Sequence, residues 1–133
     1  MENKIRYSPS ICVTHNCNLN CIYCYQKHDK ESRMNLDTAK TVLNWIFEHV
    51  PENRHGIEIN IIGGEPLLEF DLIKEMVDYT KSLKTKESYL FYATTNGTVL
   101  TDEMKTWFIE NRDVFWLGLS LDGDRDTHNH NRS

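Results

Sequence analysis

The chain has 133 residues, 20 acidic and 15 basic side chains, a net charge of −5, and 39% hydrophobic residues including three Trp, six Tyr and five Phe. That length suits one ordinary domain, the acidic balance argues against a general nucleic-acid or other polyanion binder, and no apolar run approaches the roughly 20 residues that span a membrane. No repeat, low-complexity tract or Pro/Ser-rich linker marks an internal boundary, and nothing in residues 1–6 resembles a signal peptide, which points to the cytoplasm.

The apolar period switches repeatedly between strand-like and helix-like. Ile11-Cys12-Val13-Thr14 reads as a short strand. Ala39, Val42, Leu43, Ile46, Phe47 and Val50 then recur at helical spacing, with Asn35 as N-cap and Asp37 in the first turn. A second strand runs from Ile57 to Ile62 and ends at a Gly-Gly pair; Leu72, Ile73, Met76, Val77 and Leu83 mark a second helix. Tyr89 to Thr94 reads as a third strand closed by Asn96-Gly97, and Thr101 caps a third helix carrying Met104, Trp107 and Phe108. Val114 to Leu121 reads as a fourth strand. Four strands alternating with three helices predict an α/β fold of parallel βα repeats.

In such folds chemistry collects at the carboxyl ends of the strands. Four unusual segments fall there: a cysteine loop after the first strand, Gly63-Gly64-Glu65-Pro66 after the second, Thr95-Asn96-Gly97 after the third, and Ser120-Leu121-Asp122-Gly123 after the fourth. Each alone is compatible with a plain turn. Together they place glycines that let a backbone approach a ligand, a carboxylate that accepts from an ammonium, an amide, and a hydroxyl suited to a ribose or carboxylate on one side of the sheet.

The cysteine loop is the most specific of the four. Cys17, Cys21 and Cys24 fall within eight residues and supply three thiolates with no fourth. Iron–sulfur clusters are held by cysteine thiolates, and a cubane tied down at three irons keeps its last iron open. A structural zinc site wants four Cys/His ligands in paired spacings; here the fourth would be Cys12, His15 or His28, none at a familiar interval. A disulfide framework requires an oxidising compartment. Cys12, inside the apolar run Ile11-Cys12-Val13, reads as a packed thiol rather than a ligand. A small iron–sulfur or zinc module without further chemistry is the alternative reading.

These residues resemble the radical S-adenosylmethionine (AdoMet) superfamily: the Cys17/Cys21/Cys24 spacing with Tyr23 before the last cysteine, Gly63-Gly64-Glu65-Pro66, Thr94-Thr95-Asn96-Gly97 and Ser120-Leu121-Asp122-Gly123. Ser120 to Gly123 followed by His128 and Arg132 is similar to the peptide- and protein-modifying branch that includes anaerobic sulfatase-maturating enzymes. The likeness spans roughly residues 8–133. It implies the N-terminal portion, residues 1–133, of a partial TIM-like barrel. It further implies a [4Fe-4S] cluster whose open iron chelates AdoMet, one-electron cleavage to methionine and a 5′-deoxyadenosyl radical, and hydrogen abstraction from a protein or peptide substrate. A one-electron reductant such as flavodoxin or ferredoxin is implied as partner. By position, Cys17, Cys21 and Cys24 would ligate iron, Tyr23 would lie against the adenine, and Gly63, Gly64 and Glu65 would receive the methionine ammonium. Asn96 and Ser120 would serve the carboxylate or ribose side, and Tyr25 the substrate pocket. Cofactor biosynthesis is another branch of the same superfamily.

Two departures stand out. The branch's His-Asp pair reads His128-Asn129, and the sequence reaches Ser133 after four strands, where the resemblance calls for a longer barrel. The His-rich tail 128–132 falls at the branch motif and reads as native sequence cut short. The fourth strand is then expected to expose an edge and an apolar face, with Phe115, Trp116, Leu117 and Leu119, so that the 133-residue piece either self-associates through it or is poorly stable alone, and does not by itself turn over a peptide substrate.

Overall fold

The computed structural model describes residues 5–24 and 32–132; Tyr25 and His28 lie outside them. Strand β1 (Ser10–Thr14), helix α1 (Leu36–Glu48), strand β2 (Ile57–Gly63), a 3-10 turn (Pro66–Glu69), helix α2 (Phe70–Ser82), strand β3 (Tyr89–Thr95), helix α3 (Asp102–Glu110), strand β4 (Phe115–Leu119) and helix α4 (Arg125–Asn131) follow in order. One sheet carries the strands as β1-β2-β3-β4, each neighbouring pair parallel. The alternation of periods thus yields the α/β fold expected of it.

Local chemistry sets the helix starts. Asn35 Oδ1 accepts from Thr38 N at 2.8 Å and Thr101 Oγ1 from Met104 N at 3.2 Å, caps of the kind that contribute about 0.5–2 kcal/mol each. Period-2 alternation then assigns the faces of the sheet. Ile11 and Val13, Ile57, Ile59 and Ile61, Phe91 and Ala93, and Phe115 are buried together with Ala39, Leu43 and Ile46 of α1 and Ile73, Met76 and Val77 of α2. Side chains such as Leu43 contribute roughly 1.5–3 kcal/mol each by leaving water. The Phe91 and Phe115 rings stack at 6.0 Å, with Phe108 5.1 Å from Phe115.

The opposite face presents Asn60, Tyr92 and Trp116 in register, with Ile62 and Trp116 exposed. Phe115 therefore belongs to the core at 2% exposure, and Leu117 is partly buried against it, contrary to their expected place on an open apolar face, because both pack against the core. Trp116 and Leu119 are exposed as expected. Among the described residues no helix is long and apolar enough to cross a membrane.

Several strand ends shift by one residue, β1 opening at Ser10, β2 and β3 running to Gly63 and Thr95, and β4 opening at Phe115; the larger differences follow β4. Strand β4 stops at Leu119 rather than Leu121, Ser120 N still donating to Thr95 O at 2.9 Å. The chain then turns at Gly123, whose φ of +75° favours glycine, and enters α4, an element beyond the three helices expected. Its N-cap, Asp124, accepts from Thr127 N at 2.9 Å. Hydrophobic periodicity cannot reveal α4, since none of its seven residues is apolar.

Candidate functional site

The chain leaving β1 is seated on the chain leaving β2. Gly64 N donates to Thr14 O at 3.0 Å and Glu65 N to Asn16 O at 2.8 Å. A Cβ on Gly63 would stand 2.5 Å from Thr14 O, and one on Gly64 2.3 Å from Asn16 O. The glycine pair is therefore required by the cysteine loop's approach, in addition to any room it leaves for a ligand.

Glu65 ties the next strand to the same place. Its side chain is buried, at 1% exposure for the residue. Oε1 accepts from Thr95 Oγ1 at 2.6 Å and Asn96 N at 2.7 Å, and Oε2 from Leu67 N at 3.3 Å. Asn96 in turn donates from Nδ2 to Asn18 Oδ1 at 2.9 Å, while Asn18 Nδ2 donates to Thr98 Oγ1 at 2.6 Å. The loops after β2 and β3 both grip the cysteine loop.

The segment after β4 closes the other side. Tyr23 Oη donates to Asp122 Oδ2 at 2.8 Å, Arg132 Nε lies 3.2 Å from Asp122 Oδ1, and the Arg132 guanidinium sits 5.4 Å from the centre of the Tyr23 ring. Ile22 N donates to Asn131 O at 3.0 Å, and Arg132 Nη1 reaches Cys21 Sγ at 3.9 Å. The Tyr23 hydroxyl, and after it Arg132, holds the Asp122 carboxyl below the ordinary carboxylate range. Partial burial and the bond to Asp122 push the Tyr23 phenol up. Partial burial works against the Arg132 charge, and the Asp122 partner more than offsets it, leaving that group raised.

Of the nine residues expected to hold the cluster or AdoMet, eight line one cavity of about 170 Å³: Cys17, Cys21, Cys24, Tyr23, Gly63, Gly64, Asn96 and Ser120. Glu65 is the ninth; it lies behind the lining, committed to Thr95, Asn96 and Leu67. Leu19, Thr94 and Arg132 also line the cavity. Arg132 was legible only as part of a family motif, and its position depends on α4, whose one sequence signal is the Asp124 cap.

The donor set fits an iron–sulfur cluster. Three thiols, none of them in a disulfide, line the cavity, and among the described residues no three His, Cys, Asp or Glu side chains converge on a point suited to one metal ion. Thiols spread around a space match a cluster in which each thiolate holds a different iron. Burial, first of all, raises the Cys17 thiol; the Leu19 N–H, 3.4 Å from its sulfur, works the other way, and Glu65, Cys21 and Cys24 add to the rise. Cys12 stands apart, half-buried, its thiol 3.5 Å from Thr14 O.

Residues 11–133 match the radical SAM superfamily. An uncharacterized protein of Methanocaldococcus jannaschii is 35% identical over 111 residues, 84% of this chain and 37% of its own length. A cysteine-type anaerobic sulfatase-maturating enzyme of Clostridium novyi is 31% identical over 122 residues, 85% and 31% of the two chains. A GTP 3′,8-cyclase of Campylobacter jejuni subsp. doylei is 35% identical over 127 residues, 91% and 36%. The chain thus spans about a third of the length of these relatives. Among solved structures, native anSMEcpe with bound AdoMet superposes with a TM-score of 0.80 at 22% identity over 95% of this chain and 35% of that one, so the four βα repeats are part of the same TIM-like barrel. With the match running through the cysteine signature and all the loops that hold it, the chain belongs to the radical SAM superfamily.

Proposed function

We propose that this chain forms the cofactor-binding part of a radical SAM enzyme that modifies a protein or peptide side chain. The observation that supports it most is one cavity shared by three cysteine thiols and the lining residues Gly63 and Gly64 at the end of β2, Asn96 after β3 and Ser120 after β4. When bound, a [4Fe-4S] cluster and AdoMet supply one-electron cleavage of a sulfonium bond and the hydrogen abstraction that follows.

The chain's own residues bind and orient. Cys17, Cys21 and Cys24 hold three irons. Gly63 and Gly64 expose backbone groups where the methionine end of AdoMet would lie. Glu65, buried beneath them and close enough to raise the Cys17 thiol, fixes the Asn96 amide and sets a negative charge behind the site, which favours an ammonium there. The Asn96 side chain, held by Asn18, and the Ser120 hydroxyl serve the carboxylate or ribose side, and the Tyr23 ring the adenine. A one-electron donor such as flavodoxin or ferredoxin completes the reading.

Its peptide half is supported by the sulfatase-maturating relative and by the similarity to anSMEcpe crystallised with a peptide. The GTP 3′,8-cyclase relative, at comparable identity, favours a second reading in which the substrate is a nucleotide. The test is to reconstitute the protein with iron and sulfide without oxygen, add dithionite and AdoMet, and assay 5′-deoxyadenosine. Formation that is lost in Cys21→Ala is expected. A protein with an intact cluster that leaves AdoMet uncleaved would sink the radical reading. Stimulation of cleavage by GTP, and not by cysteine- or serine-containing peptides, would replace the peptide reading with the nucleotide one.

A further inference from the structure

Of the charged groups around the cavity, Arg132 meets the cysteine loop at two points, the Tyr23 ring and Cys21 Sγ. Its side chain is 16% exposed, and that of Asp122 18%. The carboxylate bridges Tyr23 and Arg132, Oδ2 taking the phenol at 2.8 Å and Oδ1 lying 3.2 Å from Nε. Asp122 N is fixed as well, lying 3.2 Å from the ring Nδ1 of His128. Although Nε is near Asp122 Oδ1, it is buried without an aligned hydrogen-bond partner among the described residues, so the ion pair leaves donors of the guanidinium uncommitted. A guanidinium has five N–H groups in a rigid fork. One arm of this fork, Nη1, points at Cys21 Sγ from 3.9 Å.

We propose that Arg132, held by Asp122 and the Tyr23 ring, is a positioning residue that clasps the cysteine loop at Cys21 and raises the reduction potential of a cluster bound there. The proposal rests on the cluster reading of the three cysteines. A cluster gains negative charge on reduction, and its potential depends on net charge and on hydrogen bonds to its sulfurs. A cation whose N–H reaches a ligating sulfur stabilises the reduced form; an anion beside that cation, Asp122, partly cancels it. The two members of the ion pair therefore act on the potential with opposite sign. Loss of loop order alone would move both variants the same way, since each breaks the same ion pair.

The experiment is a redox titration followed by electron paramagnetic resonance on reconstituted protein without AdoMet, so that a contact of Arg132 with that molecule does not enter. Relative to the parent, Arg132→Gln is expected to shift the midpoint to a more negative value and Asp122→Asn to a more positive one. Arg132→Lys, which keeps the charge and loses the fork, is expected to fall between the parent and Arg132→Gln. Shifts of the same sign in Arg132→Gln and Asp122→Asn, or an unchanged midpoint in Arg132→Gln, would overturn the proposal. If Arg132→Gln retains no iron, Asp122→Asn decides: an upward shift supports the proposal and any other result overturns it. A parent that takes up no iron removes the cluster reading and this proposal with it, whereas a parent with iron and unresponsive variants removes only this proposal.

Discussion

Replacing Glu65 separates a residue that builds the site from one that touches the ligand. Its carboxylate accepts three hydrogen bonds, from Thr95 Oγ1, Asn96 N and Leu67 N, in a position 1% exposed. Glu65→Ala leaves three donors without a partner, Thr95 being itself 2% exposed. At about 1–3 kcal/mol for each unsatisfied buried group, with some relaxation, the loss is about 3–6 kcal/mol. That is a large part of the 5–15 kcal/mol by which domains are typically stable. Glu65→Gln is the gentler probe. Its carbonyl can still serve Thr95 and Asn96, while its NH₂ meets the Leu67 N–H donor to donor, so about 1–3 kcal/mol is lost. For a chain of this size a kcal/mol corresponds to roughly 3–5 °C of melting temperature. Thermal melts of the apo protein at pH 7.5 should therefore fall by roughly 3–15 °C in Glu65→Gln and further in Glu65→Ala. Direct contact with the methionine ammonium predicts instead an affinity loss of tenfold or more, as for a lost charge-assisted bond, with little change in melting. Unchanged melting together with weakened AdoMet binding in calorimetry would refute the argument that Glu65 acts by holding the strand ends.

Alanine at Cys17, Cys21 or Cys24 should abolish iron uptake, while Cys12→Ala should retain about four irons per chain by colorimetric assay; loss of iron in the Cys12 variant would place a ligand wrongly. Gly64→Ala, whose Cβ would stand 2.3 Å from Asn16 O, should cost about 1–3 kcal/mol as an overpacked contact and lower iron retention, and a variant equal to the parent in both would disprove the seating of the cysteine loop on Gly64. The Asp122 carboxyl is depressed, chiefly by Tyr23, so its stabilisation is complete above the ordinary carboxylate pKa of about 3.9 and disappears as the pH falls through its folded value. Stability curves of the parent and Asp122→Asn should accordingly stay separated at pH 5–7 and converge below about pH 4; parallel curves would contradict this. Exposed Trp116 and Leu119 on the β4 edge should make the 133-residue chain self-associate in light scattering, and Trp116→Lys with Leu119→Lys should reduce it; a parent that is monomeric at every concentration would exclude that interface.

The α/β alternation was legible because the apolar residues that cover the sheet obey simple periods: Ile57, Ile59 and Ile61 along β2 and Ala39, Leu43 and Ile46 along α1 are the buried positions. The cavity lining was legible because a parallel fold brings strand ends together and the odd residues of this chain cluster there. What the sequence conceals is the direction of individual side chains. Glu65 is one residue beyond the glycines, yet its carboxylate turns inward to Thr95 and Asn96 rather than into the cavity. The glycines carry two demands, ligand space and the approach of Thr14 O and Asn16 O, and only the second depends on a strand almost fifty residues away in the chain. The clasp of Tyr23, Asp122 and Arg132 joins groups separated by 99 positions and relies on a helix without an apolar face, which no pattern of hydrophobicity announces.

Everything proposed for the cavity depends on three thiolates holding a cluster whose remaining iron is open to AdoMet. The most direct test is the paramagnetic resonance spectrum of the reduced, reconstituted protein before and after AdoMet is added. About four irons per chain are expected, with a [4Fe-4S] signal that changes shape when AdoMet binds at the open iron. A spectrum indifferent to saturating AdoMet, or a protein that takes up a single zinc ion in place of iron, would contradict it.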